Sequence, residues 1–317
     1  MISRRILRIK VMQALYAYHK SAGTASINDT EKELLFSVNK SYDLYHLLLI
    51  LPVEIANLAE KRIDKGQNKK LPSQEDLNPN RKFIDNRIIK ALRVNNQLLK
   101  YVEIKKLNWV NSSDLVKGIL SQIEKSEAYE AYMNSGESSY KEDKAFLSTV
   151  YSHIIAIYEP LYNELEEQSI FWNDEVEFIL SAILKTIKKI KEQNPEDAPL
   201  MPLYKNEEDR DFTKELFRKT LLNREKYEEY IKQFSKNWDF DRIAFMDILI
   251  LSMAIAEVLE FPSIPVRVSF NEYIELSKYY STNRSNVFIN GILDKIIDHL
   301  RVNNLIQKSG RGLIGDV

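Results

Sequence analysis

Apolar residues recur three and four positions apart along most of the chain, in long stretches rich in Leu, Ile, Glu and Lys, and strand-like alternation is hard to find. That spacing lines up side chains on one face of a helix, so it predicts helices nearly throughout and an all-α fold. The breaks are local: Gly23 to Asn28, Gly66 to Asn80 with Pro72 and Pro79, Asn134 to Ser139, Asn194 to Pro202, and the tail from Ser309. One stretch, Asp239 to Glu260, is apolar nearly all round, which places it in the middle of a bundle. Asp247 interrupts it and needs a partner or solvent, since an unpaired carboxylate is costly to bury. No His, Lys or second carboxylate stands at a useful spacing beside it, so a structural role is expected. Further on, Ser269-Phe270-Asn271-Glu272 fits a capping box and predicts a helix starting at Phe270. In the last helical pattern Phe288, Ile292 and Ile296 repeat every four residues around Gly291. Glycine there costs about 1 kcal/mol against alanine, which suggests that something approaches closely.

The middle of the chain carries an internal echo. Placing Glu142-Asp143-Lys144-Ala145-Phe146 over Glu208-Asp209-Arg210-Asp211-Phe212 gives a shift of 66 residues that continues without a gap through Val150 and Leu216, Tyr151 and Phe217, Leu165 and Ile231, Trp172 and Trp238, and Ile183 and Leu249. This reads as a partial duplication in which residues 141 to 190 form a helix pair of the same design as 207 to 260. The first copy has Glu175-Val176 where the second has Asp241-Arg242, so it is not given the same binding role.

Composition narrows the chemistry. The 317 residues are 44% apolar, ample for buried cores, and 45 Lys+Arg against 46 Asp+Glu leave a formal charge of -1. Any nucleic-acid role must therefore come from a local patch. With 0 Cys there is no disulfide or thiolate chemistry, and His19, His46, His153 and His299 show no ligand spacing, so neither a metal nor a cofactor is expected. The run Leu47 to Leu51 is too short to span a bilayer, and the basic N-terminus leads into an amphipathic pattern, not a signal-peptide core. A cytoplasmic chain without a membrane partner is expected.

Residues 1 to 20 contain Arg4, Arg5, Arg8, Lys10 and Lys20 and no acidic residue. On a helix Leu7, Val11, Ala14, Leu15 and Tyr18 line one face, while the arginines gather elsewhere near its start. Cations at a helix N-terminus oppose the macrodipole, so their grouping is more easily explained by an anionic partner such as phosphate. A second basic run, Lys61, Arg62, Lys65, Lys69 and Lys70, is flanked by Glu60 and Asp64 and reads as a solvated loop.

Two sets of residues carry a resemblance to a known family. One is Trp238, Asp241-Arg242, Glu257, Pro265, Asn271-Glu272, Ile274-Glu275-Leu276 and Phe288-Ile289-Asn290-Gly291-Ile292-Leu293-Asp294; the other is Arg4-Arg5, Arg8 and Gln13-Ala14-Leu15-Tyr16. In order and spacing both resemble the NusB family of bacterial transcription antitermination factors. The resemblance implies a NusB-like helical bundle formed by an N-terminal RNA-binding helix, 1 to 22, and a C-terminal helical domain, 205 to 301. A helical insertion, 23 to 204, lies between them, and a flexible tail, 302 to 317, follows. It further implies recognition of a boxA-like single-stranded element in nascent ribosomal RNA together with NusE, a small-subunit ribosomal protein, and action on the elongating RNA polymerase complex. By the same resemblance Arg4, Arg5, Arg8, Gln13, Tyr16, Arg284 and Phe288 are the expected RNA contacts, and Glu257 faces the protein partner. Gly291 would then be approached either by another helix, the favoured reading, or by RNA. Two departures stand out: Ser252 where members commonly have Arg, which puts the partner interface in question, and Arg284 where they often carry an acid, which predicts stronger, less selective phosphate contact.

NusB-like domains also precede ribosomal RNA cytosine methyltransferases, but those enzymes need a catalytic cysteine and a Gly-rich cofactor site on an α/β domain, and neither is present here. No enzymatic activity is expected. A protein-interaction scaffold that keeps the fold and has lost the RNA site is the remaining alternative.

Overall fold

The computed structural model describes residues 3–21, 24–136, 138–236 and 239–314; its described residues form helices joined by turns, with no strand among them. In chain order the helices are α1 Arg4–Lys20, α2 Ile27–Gln67, α3 Gln74–Leu77, α4 Arg87–Val94, α5 Asn96–Lys105, α6 Ser113–Glu124, α7 Glu127–Asn134, α8 Tyr140–Thr149, α9 Glu159–Gln168, α10 Val176–Lys189, α11 Glu207–Leu222, α12 Arg224–Phe234, α13 Phe245–Glu260, α14 Val266–Tyr280 and α15 Ser285–Val302. They gather into two compact units. One, here the insertion unit, holds Asn39–Leu203; the other, the split unit, joins Ser3–Val38 to Tyr204–Val317. Helix α2 gives its first turns to the split unit and the rest to the insertion unit.

In the split unit α13 is central, packing against α1, α11, α12, α14 and α15. Its all-round apolar character is the reason: Leu249 through Val258 are buried without interruption. The helix starts at Phe245 and not at Asp239, because the Asp239 carboxylate caps a separate 3-10 turn, Phe240–Arg242, and Ile243 and Ala244 are extended. Asp247 finds its partners in two hydroxyls, those of Ser281 and Ser285, which donate to its two oxygens. The expected capping box does not form. Helix α14 begins a turn earlier, after Pro265, which leaves Ser269 and Glu272 inside the helix with other tasks. After α15 the chain turns at Asn304, whose φ is 55°, and runs back over the turn between α13 and α14. There Lys308 Nζ donates to the Phe261 carbonyl and the Ser309 N–H to that of Pro262, both at 3.0 Å. Gly312 is required at this crossing, since a Cβ would sit 1.9 Å from the Pro262 oxygen. The stretch expected to be a flexible tail is thus tied down as far as it is described.

The insertion unit is built around the rest of α2. Leu44, Leu47, Leu48, Leu49 and Leu51 are at most 1% exposed. By length and composition α2 could cross a membrane, but 72% of its apolar window is buried inside the protein, as in a core helix. Pro52 lies within it and has no N–H for the carbonyl of Leu48. The buried Tyr151 hydroxyl donates to that orphan carbonyl at 2.8 Å, and Trp109 Nε1 donates to Leu47 O at 2.9 Å. The Tyr151 hydroxyl therefore replaces what the proline removes, as the burial of a backbone carbonyl demands, and Trp109 adds a bond one residue earlier.

The positions 66 apart share a burial pattern. Asp143 and Asp209, Phe146 and Phe212, Val150 and Leu216, Tyr151 and Phe217, Leu161 and Tyr227, Leu165 and Ile231, and Ile183 and Leu249 are all buried. Both aspartates take an arginine Nε from the first residue of another helix, Arg87 at 2.7 Å and Arg4 at 2.8 Å. Each stretch is three helices and not the expected pair, because Pro160 and Asn223 sit at helix starts that divide the long pattern. The stretches also differ: α11 runs straight to Leu222, whereas α8 passes into a π turn, Val150–Ile154, and a 3-10 turn, Ile155–Ile157. Trp238, the counterpart of Trp172, lies outside the described residues.

Candidate nucleic-acid interface

Helix α1 starts with three arginines and no acid in its first turn, under an N-cap formed by Ser3. Its apolar face is wider than the spacing suggests, for Ile6 through Met12 are all buried, Lys10 included. The arginines meet carboxylates of the split unit. Arg4 donates from Nε to Asp209 at 2.8 Å and from Nη2 to Glu208 at 3.0 Å. Arg5 forks onto both oxygens of Glu272, at 2.9 and 2.8 Å. Arg8 forks onto Glu257 at 2.8 and 2.6 Å, with side chains 3% and 0% exposed.

The Arg8–Glu257 pair corrects two expectations. Arg8 is not placed to meet phosphate, and Glu257 does not face a partner; each is buried on the other. The carboxylate also accepts from the Ser269 hydroxyl at 2.7 Å and the Tyr273 hydroxyl at 2.9 Å. Burial alone would push the Glu257 carboxyl up, but Arg8 and the two hydroxyls outweigh it and hold it below its ordinary range. Burial, with the charge of Glu257 beside it, raises the Tyr273 hydroxyl well above its usual value. This fully hydrogen-bonded arrangement is what a buried ion pair needs to be tolerated.

Available cations lie elsewhere in the same unit. A cavity of about 500 Å³ is lined by Asp239, Arg242, Ile243, Ala244, Asp247, Thr282, Arg284, Ser285 and Phe288, where the turn before α15 meets the start of α13. Arg242 and Arg284 are exposed, and neither holds an ion pair among the described residues. Phe288 is half-buried at the cavity wall, and the start of α15 adds its positive dipole end. Arg284 and Phe288 are thus brought together; Arg242 joins them, although only its place in the Asp241-Arg242 pair pointed to it in the sequence.

Ala244 lines this cavity, and its neighbour Phe245 leads to a second group. Tyr16, 41% exposed, meets the Phe245 ring edge-on at 5.8 Å, and Lys20 Nζ lies over both rings at 5.6 and 5.0 Å. Gln13 is half-buried one turn earlier on α1. Close to Phe245, a small cleft brings Ser252 together with His19 and Arg224. Arg224 donates to His19 Nδ1 at 3.0 Å, so a guanidinium from α12 occupies the surroundings of Ser252. Burial, helped by Arg224, lowers the His19 ring below its ordinary value and keeps Nδ1 an acceptor.

Gly291 corrects the favoured reading of its role. It is exposed in the middle of α15, and a Cβ built there meets nothing within 4 Å, so no helix packs on it.

Comparison with known proteins agrees with this architecture. Residues 176–298 match the NusB family, a match that begins in α10 and leaves out α1. The chain is 44% identical over 115 residues to the transcription antitermination protein NusB of Salinibacter ruber, covering 36% of this chain and 72% of that protein. It is 48% identical over 82 residues to the protein of that name from Natranaerobius thermophilus, covering 26% and 59%. With that of Chloroherpeton thalassium it shares 36% over 105 residues, covering 33% and 50%. No solved structure matches. An all-α bundle centred on α13, followed by the Phe288 to Asp294 segment and matched over most of the length of a relative at this identity, belongs to the NusB family of non-enzymatic transcription antitermination factors.

Proposed function

We propose that the chain is an RNA-binding antitermination factor that recognises boxA-like elements in nascent ribosomal RNA with NusE and acts on the elongating RNA polymerase in the cytoplasm. The observation that carries this reading is the cavity that sets two unpaired guanidiniums, Arg242 and Arg284, beside the Phe288 ring. Arginine supplies phosphate contact, an aromatic face supplies base stacking, and the Asp239 carboxylate offers an acceptor to amino edges of bases. Tyr16 and Lys20 extend the surface. Arg4 and Arg5 are paired cations at the opposite end of α1 from Tyr16 and Lys20, and Arg8 supports the fold. In this reading residues 1 to 22 and 205 to 301 carry the RNA function, the 23 to 204 stretch is an added helical unit, and 141 to 190 and 207 to 260 share a duplicated design.

One observation favours a scaffold without RNA: Arg4, Arg5 and Arg8 are neutralised by the protein's own carboxylates. Fluorescence anisotropy of a boxA-like RNA and a scrambled RNA, with and without NusE, separates the two. Preferential binding that tightens with NusE is expected; equal weak binding to both RNAs, indifferent to NusE, would establish the scaffold. Phe288→Ala should lose between about fivefold and a hundredfold in affinity, the worth of one stacked base. Arg284→Ala should weaken both RNAs alike and lower the salt dependence by about 0.7 in log–log slope.

Gly291 offers an independent test. With open space around it, Gly291→Ala should stabilise the fold by about 1 kcal/mol in urea titrations. If RNA passes close to the backbone there, the same variant binds the boxA-like RNA more weakly; unchanged affinity removes Gly291 from the RNA path.

A further inference from the structure

Many cations of this nearly neutral chain meet acids, in pairs such as Arg62 with Glu124, Arg81 with Glu60 and Lys82 with Glu142. One face of the insertion unit gathers lysines that do not. Lys185, Lys188 and Lys189 share the exposed side of the last turns of α10, spaced three and four apart, and Lys191 follows directly. Helix α8 packs on α10 and carries Lys141 and Lys144, again three apart. Lys144 Nζ reaches the Lys188 carbonyl at 3.0 Å, which draws the two rows together. None of the six holds an ion pair with a carboxylate among the described residues. The nearby acids are already engaged: Glu142 by Lys82, Asp143 by Arg87 and Tyr132, and Glu192 by Arg87 at 3.5 Å.

A face of this kind generates a local positive field that the overall charge of -1 conceals. Lysines in the last turn favour the helix dipole, but that accounts for Lys188 and Lys189 alone and not for the row on α8. The positions 66 further on differ in kind: Leu251, Ala254 and Ile255 are fully buried there, against Lys185, Lys188 and Lys189 here. The same helical site is thus core in one unit and uncovered lysine in the other.

We propose that this lysine face binds the phosphates of single-stranded RNA without reading sequence. The choice of RNA among polyanions rests on the function proposed above. A membrane surface fits poorly, because the exposed stripe of α10 continues through Ser181 and Glu177 with no apolar anchor. Base readout fits poorly too: the nearest aromatic, Tyr140, has Lys144 at 5.0 Å and Arg87 at 6.0 Å over its ring, which leaves no open stacking platform. Mobile lysine point charges make contacts of the sequence-independent type.

The test is salt-dependent anisotropy of fluorescein-labelled U30 RNA with the full chain and with K185Q/K188Q/K189Q/K191Q, whose four positions are all exposed. The variant should bind U30 about tenfold more weakly at low salt, with a log–log salt slope reduced by about 2 to 3, while its preference for a short boxA-like RNA over a scrambled one is retained. An unchanged U30 affinity and slope would overturn the proposal and leave these lysines to solvent or to an acidic protein. If instead neither chain prefers the boxA-like RNA but the U30 difference persists, the antitermination reading falls and the lysine face stands.

Discussion

Arg8→Ala is expected to cost about 3 to 5 kcal/mol of stability, because it strands a carboxylate that is 0% exposed. The Ser269 and Tyr273 hydroxyls that hydrogen-bond Glu257 cannot supply the missing charge. The variant should therefore protonate Glu257, and its urea midpoint should fall steeply at neutral pH. In the native protein the depressed Glu257 carboxyl contributes stability above its unfolded value, and that contribution is lost as pH falls through the still lower folded value. Replacing both partners, as in R8M/E257L, should recover much of the loss, since apolar residues of similar volume often substitute for a buried pair without penalty. Equal destabilisation by the single and double variants would show that the shape of the site, and not the stranded charge, is what matters.

The second large effect belongs to His46 and to pH. Its ring lies 3.8 Å from that of Tyr101 at an angle of 18°, its Nδ1 donates to the Tyr42 carbonyl at 2.8 Å, and its Nε2 is buried without a partner. Burial depresses the ring from 6.5 to about 4, against the opposing pull of the Tyr42 carbonyl and Asp43. Between these values the unfolded chain takes up a proton that the folded chain refuses. Stability present above pH 6.5 is thus withdrawn as pH falls toward 4, by about 3 kcal/mol at the lower end. Urea midpoints of the wild type at pH 7 and 5 should differ for this reason. His46→Phe keeps a stacked ring and should flatten the difference; if its profile matches the wild type, His46 is not the group that titrates.

What the sequence displays well is whatever is repeated locally. The apolar run of α13, the burial shared by positions 66 apart and the need of Asp247 for a partner all follow from spacing within one or two helices. Pairing across the chain is invisible to that reading. Arg8 on the polar side of α1 looks like a cation awaiting phosphate until α13 and α14 bring Glu257, Ser269 and Tyr273 around it. The same closure explains the failed capping box: Ser269 and Glu272 have the right spacing, but Pro265 starts α14 earlier, and the Ser269 hydroxyl turns to Glu257 while the Glu272 carboxylate takes Arg5 of α1. Arg242 and Arg284 were harder to see as a pair, because they lie on different turns and meet only at the cavity. Gly291 shows the reverse limit: its cost in a helix is legible, but only the structure shows that its surroundings are open.

The division of the split unit has a consequence for synthesis. Arg8 and Glu257 are separated by 249 residues, and at about 5 to 20 residues per second the ribosome needs roughly ten to fifty seconds to make the second after the first. The insertion unit, continuous from Asn39 to Leu203, emerges whole within that interval and can complete its core first. Throughout the wait, α1 has an uncovered apolar face and three arginines without their carboxylates. The newborn chain therefore passes through a stage in which its first helix is both sticky and strongly cationic, and it ends only when α11, α13 and α14 arrive to claim it.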